Sequence, residues 1–89
     1  MNNWGEAKRR TTLAERGLDF ADLELVFAGR FATLPDEWQD YREPRFITAG
    51  LLRGCFVVVV WTPRDDGRRI ISMRYGHAYE EEDYREQTG

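Results

Sequence analysis

Three arginines late in the chain, Arg64, Arg69 and Arg74, are the residues whose type and spacing most invite chemistry. A guanidinium is a permanent planar cation with several fixed donors, suited to bidentate contact with a phosphate. Arg64 follows Trp61 by three positions, and a planar cation near a large aromatic suits stacking against a nucleobase. His77 is the sole histidine, and Glu80 and Tyr84 stand at i, i+4 spacing just beyond it. Cleavage of RNA through its own 2′-hydroxyl needs a proton acceptor, a proton donor and stabilisation of a charged phosphorane, with no metal required. An acid, a phenol, an imidazole and a guanidinium supply those functions.

Each of these residues also has a plain structural reading. Arg69 at the start of a strand can be a charge reaching back to water, and Arg64 can be a solvated turn residue. Arg74 and Glu80 can form a structural ion pair as readily as a phosphate clamp. Histidine titrates near neutral pH, but His77 has no obvious catalytic partner in sequence.

Other chemistries find no support. The chain has no Walker loop, dinucleotide fingerprint, zinc spacing or nucleophile elbow, so neither a metal nor a cofactor is expected. Cys55 is the only cysteine and lies in an apolar run, where it reads as a small buried hydrophobe. The longest apolar stretch, Cys55 to Trp61, is too short to span a membrane, and the N-terminus has no signal-peptide core. A cytoplasmic location is expected.

The elements that must position these side chains follow from periodicity. The 89 residues are expected to form a single domain, 1–89. Trp4 to Arg16 predicts an exposed helix, with Ala7, Thr11 and Ala14 at roughly helical spacing, stopped by Gly17. Asp19 can cap a second helix whose Phe20, Leu23, Val26 and Phe27 make one apolar face, ended by Gly29. Arg30 to Leu34 predicts a short edge strand. Pro35 to Pro44 is a polar loop in which Trp38 and Tyr41 read as cover for the sheet edge.

Arg45 to Leu51, Cys55 to Thr62 and Arg69 to Tyr75 predict strands joined by short turns, hence antiparallel neighbours. Cys55 to Thr62 is apolar on both faces and therefore central. Strict alternation in the last strand would send Arg69, Ile71 and Met73 to one face and Ile70, Ser72 and Arg74 to the other. Ala78 to Gln87 predicts a closing helix. The fold class is α+β: two N-terminal helices, a three- to four-stranded antiparallel meander, and a C-terminal helix.

The net charge of −3 argues against a general nucleic-acid coat protein, but it hides an asymmetry. Residues 63–76 carry four arginines against two aspartates, whereas residues 77–89 carry five acids against one arginine. A basic strand runs directly into an acidic helix.

Blocks along nearly the whole chain resemble the BrnT family of toxins from type II toxin–antitoxin systems. Trp4-Gly5-Glu6-Ala7-Lys8 is similar to the family's W-D-x-x-K opening. Glu15-Arg16-Gly17-Leu18-Asp19-Phe20 stands where the family has K-H-G-[VI]-x-F, with Val26-Phe27 following at the family's spacing. Arg45 to Gly50 resembles R-F-x-x-I-G, and Val57 to Arg64 resembles the V-V-x-x-T-x-R strand end. Arg69 to Arg74 matches R-I-I-S-A-R at all but one position, while Glu80 and Tyr84 fall on E-x-x-x-Y.

The resemblance implies a RelE-like fold, metal-independent endoribonuclease cleavage of mRNA, and growth arrest. It also implies neutralisation by a BrnA-like ribbon-helix-helix antitoxin, through which alone DNA would be contacted. Arg64, Arg74, Glu80 and Tyr84 carry over as the catalytic group and Arg69 as a substrate contact, while Trp61 and His77 are expected to contact substrate on their residue chemistry alone. The departures are Gly5 in place of the family's aspartate, Glu15 and Arg16 in place of its lysine and histidine, and the acidic run Glu80 to Asp83 in a closing helix that the family makes rich in arginine. They favour the alternative of a weakly active or inactive interaction module that works mainly inside an antitoxin-bound repressor complex.

Overall fold

The computed structural model describes residues 2–37, 42–65 and 67–89. Its elements are β1 (Asn2–Asn3), α1 (Glu6–Arg16), a 3₁₀ turn (Phe20–Asp22), α2 (Leu23–Ala28), β2 (Phe31–Pro35), β3 (Phe46–Leu52), β4 (Cys55–Arg64), β5 (Gly67–Tyr75) and α3 (Ala78–Thr88). The strands form one sheet in the order β1-β5-β4-β3-β2. The α+β class holds, with β4 at the centre. The expected three- to four-stranded antiparallel sheet is corrected to five strands, because β1 pairs parallel with β5 through Asn2–Arg68 and Asn3–Arg69.

β4 is central because Phe56, Val57, Val58 and Val59 are all buried, so consecutive residues fill both faces of the sheet. Val57 and Val59 join Leu18, Phe20, Leu23, Val26, Ile70 and Met73 under α2 and the loop before it. Phe56 and Val58 join Tyr84 of α3 on the opposite face. The β3–β4 hairpin closes in two residues, Arg53 and Gly54, with φ of 49° and 84°. Positive φ at both central positions is the turn whose twist matches paired strands.

The α2 stripe lies as the spacing predicts, except that Asp19 caps the 3₁₀ turn, accepting from the Ala21 amide at 3.0 Å. α1 behaves differently. It buries no residue, and its Ala7, Thr11 and Ala14 face solvent. Cations hold it instead: Lys8 Nζ and Arg16 Nη1 donate to the Ile71 and Met73 carbonyls of β5, at 2.8 and 2.7 Å. β1 covers only the first part of the outer edge of β5, so these side chains satisfy carbonyls further along a strand edge that would otherwise stay unpaired. Arg9 clamps Asp19 through two hydrogen bonds of 2.7 and 3.0 Å, tying α1 to the 3₁₀ turn.

Three further expectations change. Cys55 is exposed, because it opens β4 directly after the tight turn. β4 runs on through Pro63 to Arg64, so the last hairpin is tighter than expected. The expected alternation of β5 breaks at a bulge: Val60 pairs with Ser72 but Trp61 pairs with Ile70, leaving Ile71 as the extra residue. Trp38 and Tyr41 lie outside the described residues.

Candidate active site

The bulge reorganises the arginines. Partners across a strand pair share a face. Val58, Val60 and Thr62 pair with Arg74, Ser72 and Arg69, and Val58 lies under α3. Arg69 and Arg74 therefore share the α3 face, rather than pointing to opposite sides as simple alternation would have it. Ile70 and Met73 are thereby both delivered to the other face, where each is buried.

Arg74 is the best-defined of the cluster. Its Nη1 and Nη2 donate to the two carboxylate oxygens of Glu80, each at 2.9 Å, and Nη1 also donates to the Tyr75 carbonyl at 3.1 Å. Glu80 is itself positioned by α3, where it reaches back to accept the His77 backbone N–H at 2.9 Å and so closes the first turn. The Arg74 guanidinium holds the Glu80 carboxyl down at about 2, and the His77 amide adds to this. In return the carboxylate raises the Arg74 pKa further. The pair occupies the end-on edge of the guanidinium. Its other edge, formed by Nε–H and the second Nη2 hydrogen, has no hydrogen-bond partner among the described residues.

The other sequence-selected residues are dispersed. Tyr84 shares the sheet-facing side of α3 with Glu80 but is only 5% exposed. Its ring packs on Phe56 and its hydroxyl donates to the Arg30 carbonyl at 2.9 Å. That placement pins the far half of α3 to the α2–β2 junction and leaves the phenol committed. Arg64 lies on the Arg74 face but six strand positions beyond Val58, roughly 20 Å at 3.3 Å per residue. Its guanidinium pairs with Glu43.

Arg69 donates to the neutral Asn3 side chain at 3.1 Å and has no carboxylate partner among the described residues. His77 is exposed, its ring stacked on that of Tyr79 with centroids 5.6 Å apart. Trp61 faces the other side of the sheet, stacked on Phe46 at 5.0 Å, with its indole N–H donating to Thr48 Oγ1 at 2.8 Å. It therefore cannot present its ring beside Arg64 or Arg74, which point to the opposite side. Its cationic neighbour is Arg68, stacked over Phe27 at 3.8 Å and facing Trp61 at 5.3 Å. Sequence reasoning counted Arg68 only as charge, and its position two residues before Ile70 on the same face was the available signal.

No group of three or more histidine, cysteine, aspartate or glutamate side chains suited to a metal occurs among the described residues. No helix among them is long and apolar enough to cross a membrane.

Strands β2 to β5, with their arginines, and the start of α3 all fall inside one family match. The model of a ribonuclease toxin, BrnT, of type II toxin–antitoxin systems covers residues 4–80. The chain belongs to the BrnT family. A search of curated proteins finds no match to it. BrnT membership makes the chain a toxin-family ribonuclease with an RNA substrate and an antitoxin partner. The match ends at Glu80, so it includes the Arg74–Glu80 pair and leaves the rest of α3, with most of its acids, to this chain's own sequence.

Proposed function

We propose that this BrnT-family chain is an endoribonuclease that cleaves mRNA without a metal, with Arg74 as the principal phosphate contact. The observation that carries the reading is the split use of the Arg74 guanidinium. Glu80 fixes one edge of it and leaves the Nε/Nη2 edge presented for a bidentate phosphate contact. In the step proposed, the 2′-hydroxyl of the substrate attacks the neighbouring phosphorus and loses its proton. The bond to the 5′-oxygen then breaks, leaving a cyclic phosphate and a 5′-hydroxyl. Arg74 stabilises the extra negative charge of the phosphorane, which exists only in the transition state.

A carboxylate held at about 2 is a feeble proton acceptor at neutral pH, so Glu80 serves as the positioner of Arg74 rather than as the base. Tyr84 has its hydroxyl committed to Arg30 and holds α3 in place. His77, exposed at the start of α3, is the side chain proposed to move the proton. Arg69, with its neutral partner, and Arg64, farther along the same face, extend the cationic track for neighbouring phosphates of one strand. The antitoxin is proposed to be a BrnA-like ribbon-helix-helix protein, through which DNA is contacted indirectly.

The pairing of Arg74 with Glu80 also suits the second reading, an interaction module whose arginine is already neutralised. Induced expression separates the two. Growth arrest by the wild-type chain that is lost in Arg74→Ala supports the ribonuclease. Equal arrest by both removes Arg74 from the mechanism, and no arrest by the wild type favours the module.

A further inference from the structure

A groove runs between α3 and the outer strands β2 and β3. It is walled by Ala32, Leu34, Ile47, Ala49, Val58 and Tyr84, with Glu80, Asp83 and Gln87 along its rim. Its volume of about 150 Å³ is the size that takes a single aromatic ring or a large aliphatic side chain. The lining is mostly apolar, and Leu34 on its outer side is 55% exposed. An apolar slot left open beside a charged helix is a feature folding alone does not require.

The rim has one sign. Of the α3 acids, Glu80 is paired with Arg74 and Glu81 with Arg85. Asp83, on the groove itself, has no ion-pair partner among the described residues, and Glu82 and Glu86 on the same helix are likewise exposed. The two small residues Ala32 and Ala49, cross-strand partners on β2 and β3, form the floor and make the slot deep enough to hold a side chain. A phosphate strand would be repelled by this rim, so the groove is unsuited to RNA.

The geometry points to this groove as the docking site for the antitoxin. The segment it fits seats one large apolar side chain over Ala32 and Ala49 and carries lysine or arginine to meet Asp83. Charge complementarity selects a basic segment, and the slot selects one apolar anchor of the kind that dominates interface energetics. This rests on the ribonuclease-toxin reading in one respect. The groove ends at Glu80 and Val58, the partners of Arg74. A segment seated there therefore abuts the proposed phosphate contact and blocks it. The acidic helix thereby gains a role that catalysis does not give it.

The test titrates the antitoxin encoded with this chain into wild type, Ala32→Leu and Asp83→Lys by calorimetry, alongside RNA cleavage by each free protein. Ala32→Leu fills the slot, and Asp83→Lys reverses the rim on an exposed helix surface where folding is not at stake. Each substitution is expected to weaken antitoxin binding about tenfold or more, with Asp83→Lys losing the most at low salt. Cleavage by the free variants should stay at the wild-type level. Affinities unchanged in both variants would overturn the proposal. So would a free chain that dimerises and is made monomeric by Ala32→Leu, since the slot would then belong to a second copy. Absence of cleavage by the free wild type would overturn the ribonuclease reading while leaving the binding result to be judged alone.

Discussion

On the face of the sheet covered by α2, Val57, Val59, Ile70 and Met73 are sealed to 2% exposure or less, whereas on the α3 face Ile47, Ala49 and Val60 stay half-buried. The same strands build both faces. The first face is closed over its centre by Phe20, Leu23 and Val26, while Phe46 and Trp61 at its end stay half-buried. The second is covered by a helix with one buried residue, Tyr84, and held otherwise by polar links at its two ends. Arg74 and Glu80 tie the start of α3, and Arg30 ties Tyr84 near its finish. One face thus maintains the fold, while the other keeps charged groups, a slot and one edge of a guanidinium available to other molecules.

The sharpest way to break this contrast is truncation. Met73→Ala should cost about 3 kcal/mol, the usual loss for a large side chain removed from a closed core. Ile47→Ala on the open face should cost about 1 kcal/mol, because the space left is already continuous with solvent. Urea unfolding of the two variants compares them directly, and equal losses would mean the two faces are equally closed.

Gly76 offers a second test, since it lies with His77 in the two-residue link between β5 and α3. A Cβ there would lie 2.1 Å from Phe56 Cε2 and 2.3 Å from Cδ2, so Gly76→Ala must push α3 and the Phe56 ring apart. A loss of about 2 kcal/mol is expected from overpacking. Hydrogen exchange should speed up in α3 while α2 amides keep their protection. Uniform acceleration in both helices would show that the two faces unfold as one.

The smallest effect concerns pH. Glu80 is lowered to about 2 when folded, below its ordinary value of 4.5. Its pair with Arg74 therefore contributes stability that is fully present above about pH 4.5 and is lost as pH falls toward 2. Partial exposure of the pair limits the contribution to about 1 kcal/mol. The stability gap between wild type and Glu80→Gln should be constant near neutral pH and close below pH 4.5, as followed by urea midpoints.

Much of this architecture was legible in the sequence because it is local. The α2 stripe, the stop at Gly17, the two-faced β4 and the Arg74–Glu80 proximity each follow from spacing within a few residues. The failures are long-range or hidden by like residues. Two asparagines carry no strand pattern, so β1 is visible only from the β5 edge it joins. Ile70 and Ile71 are both apolar, so nothing in their types marks the bulge that brings Arg69 onto the Arg74 face. The i, i+4 spacing shows Tyr84 only as a phenol beside Glu80, whereas its burial is decided by Phe56 on a distant strand. Arg64 and Trp61, close in sequence, sit on opposite faces because three strand positions reverse direction.

If Arg74 holds the scissile phosphate on the α3 face, cleavage of RNA by the purified chain in EDTA depends on its guanidinium. Wild type should cleave without metal, and Arg74→Ala should lose about 10²- to 10³-fold in rate, the usual cost of removing a transition-state anion contact. Arg68→Ala, on the opposite face, should cleave at the wild-type rate once its folding is verified. Equal rates for wild type and Arg74→Ala, or a loss in Arg68→Ala alone, would contradict the account.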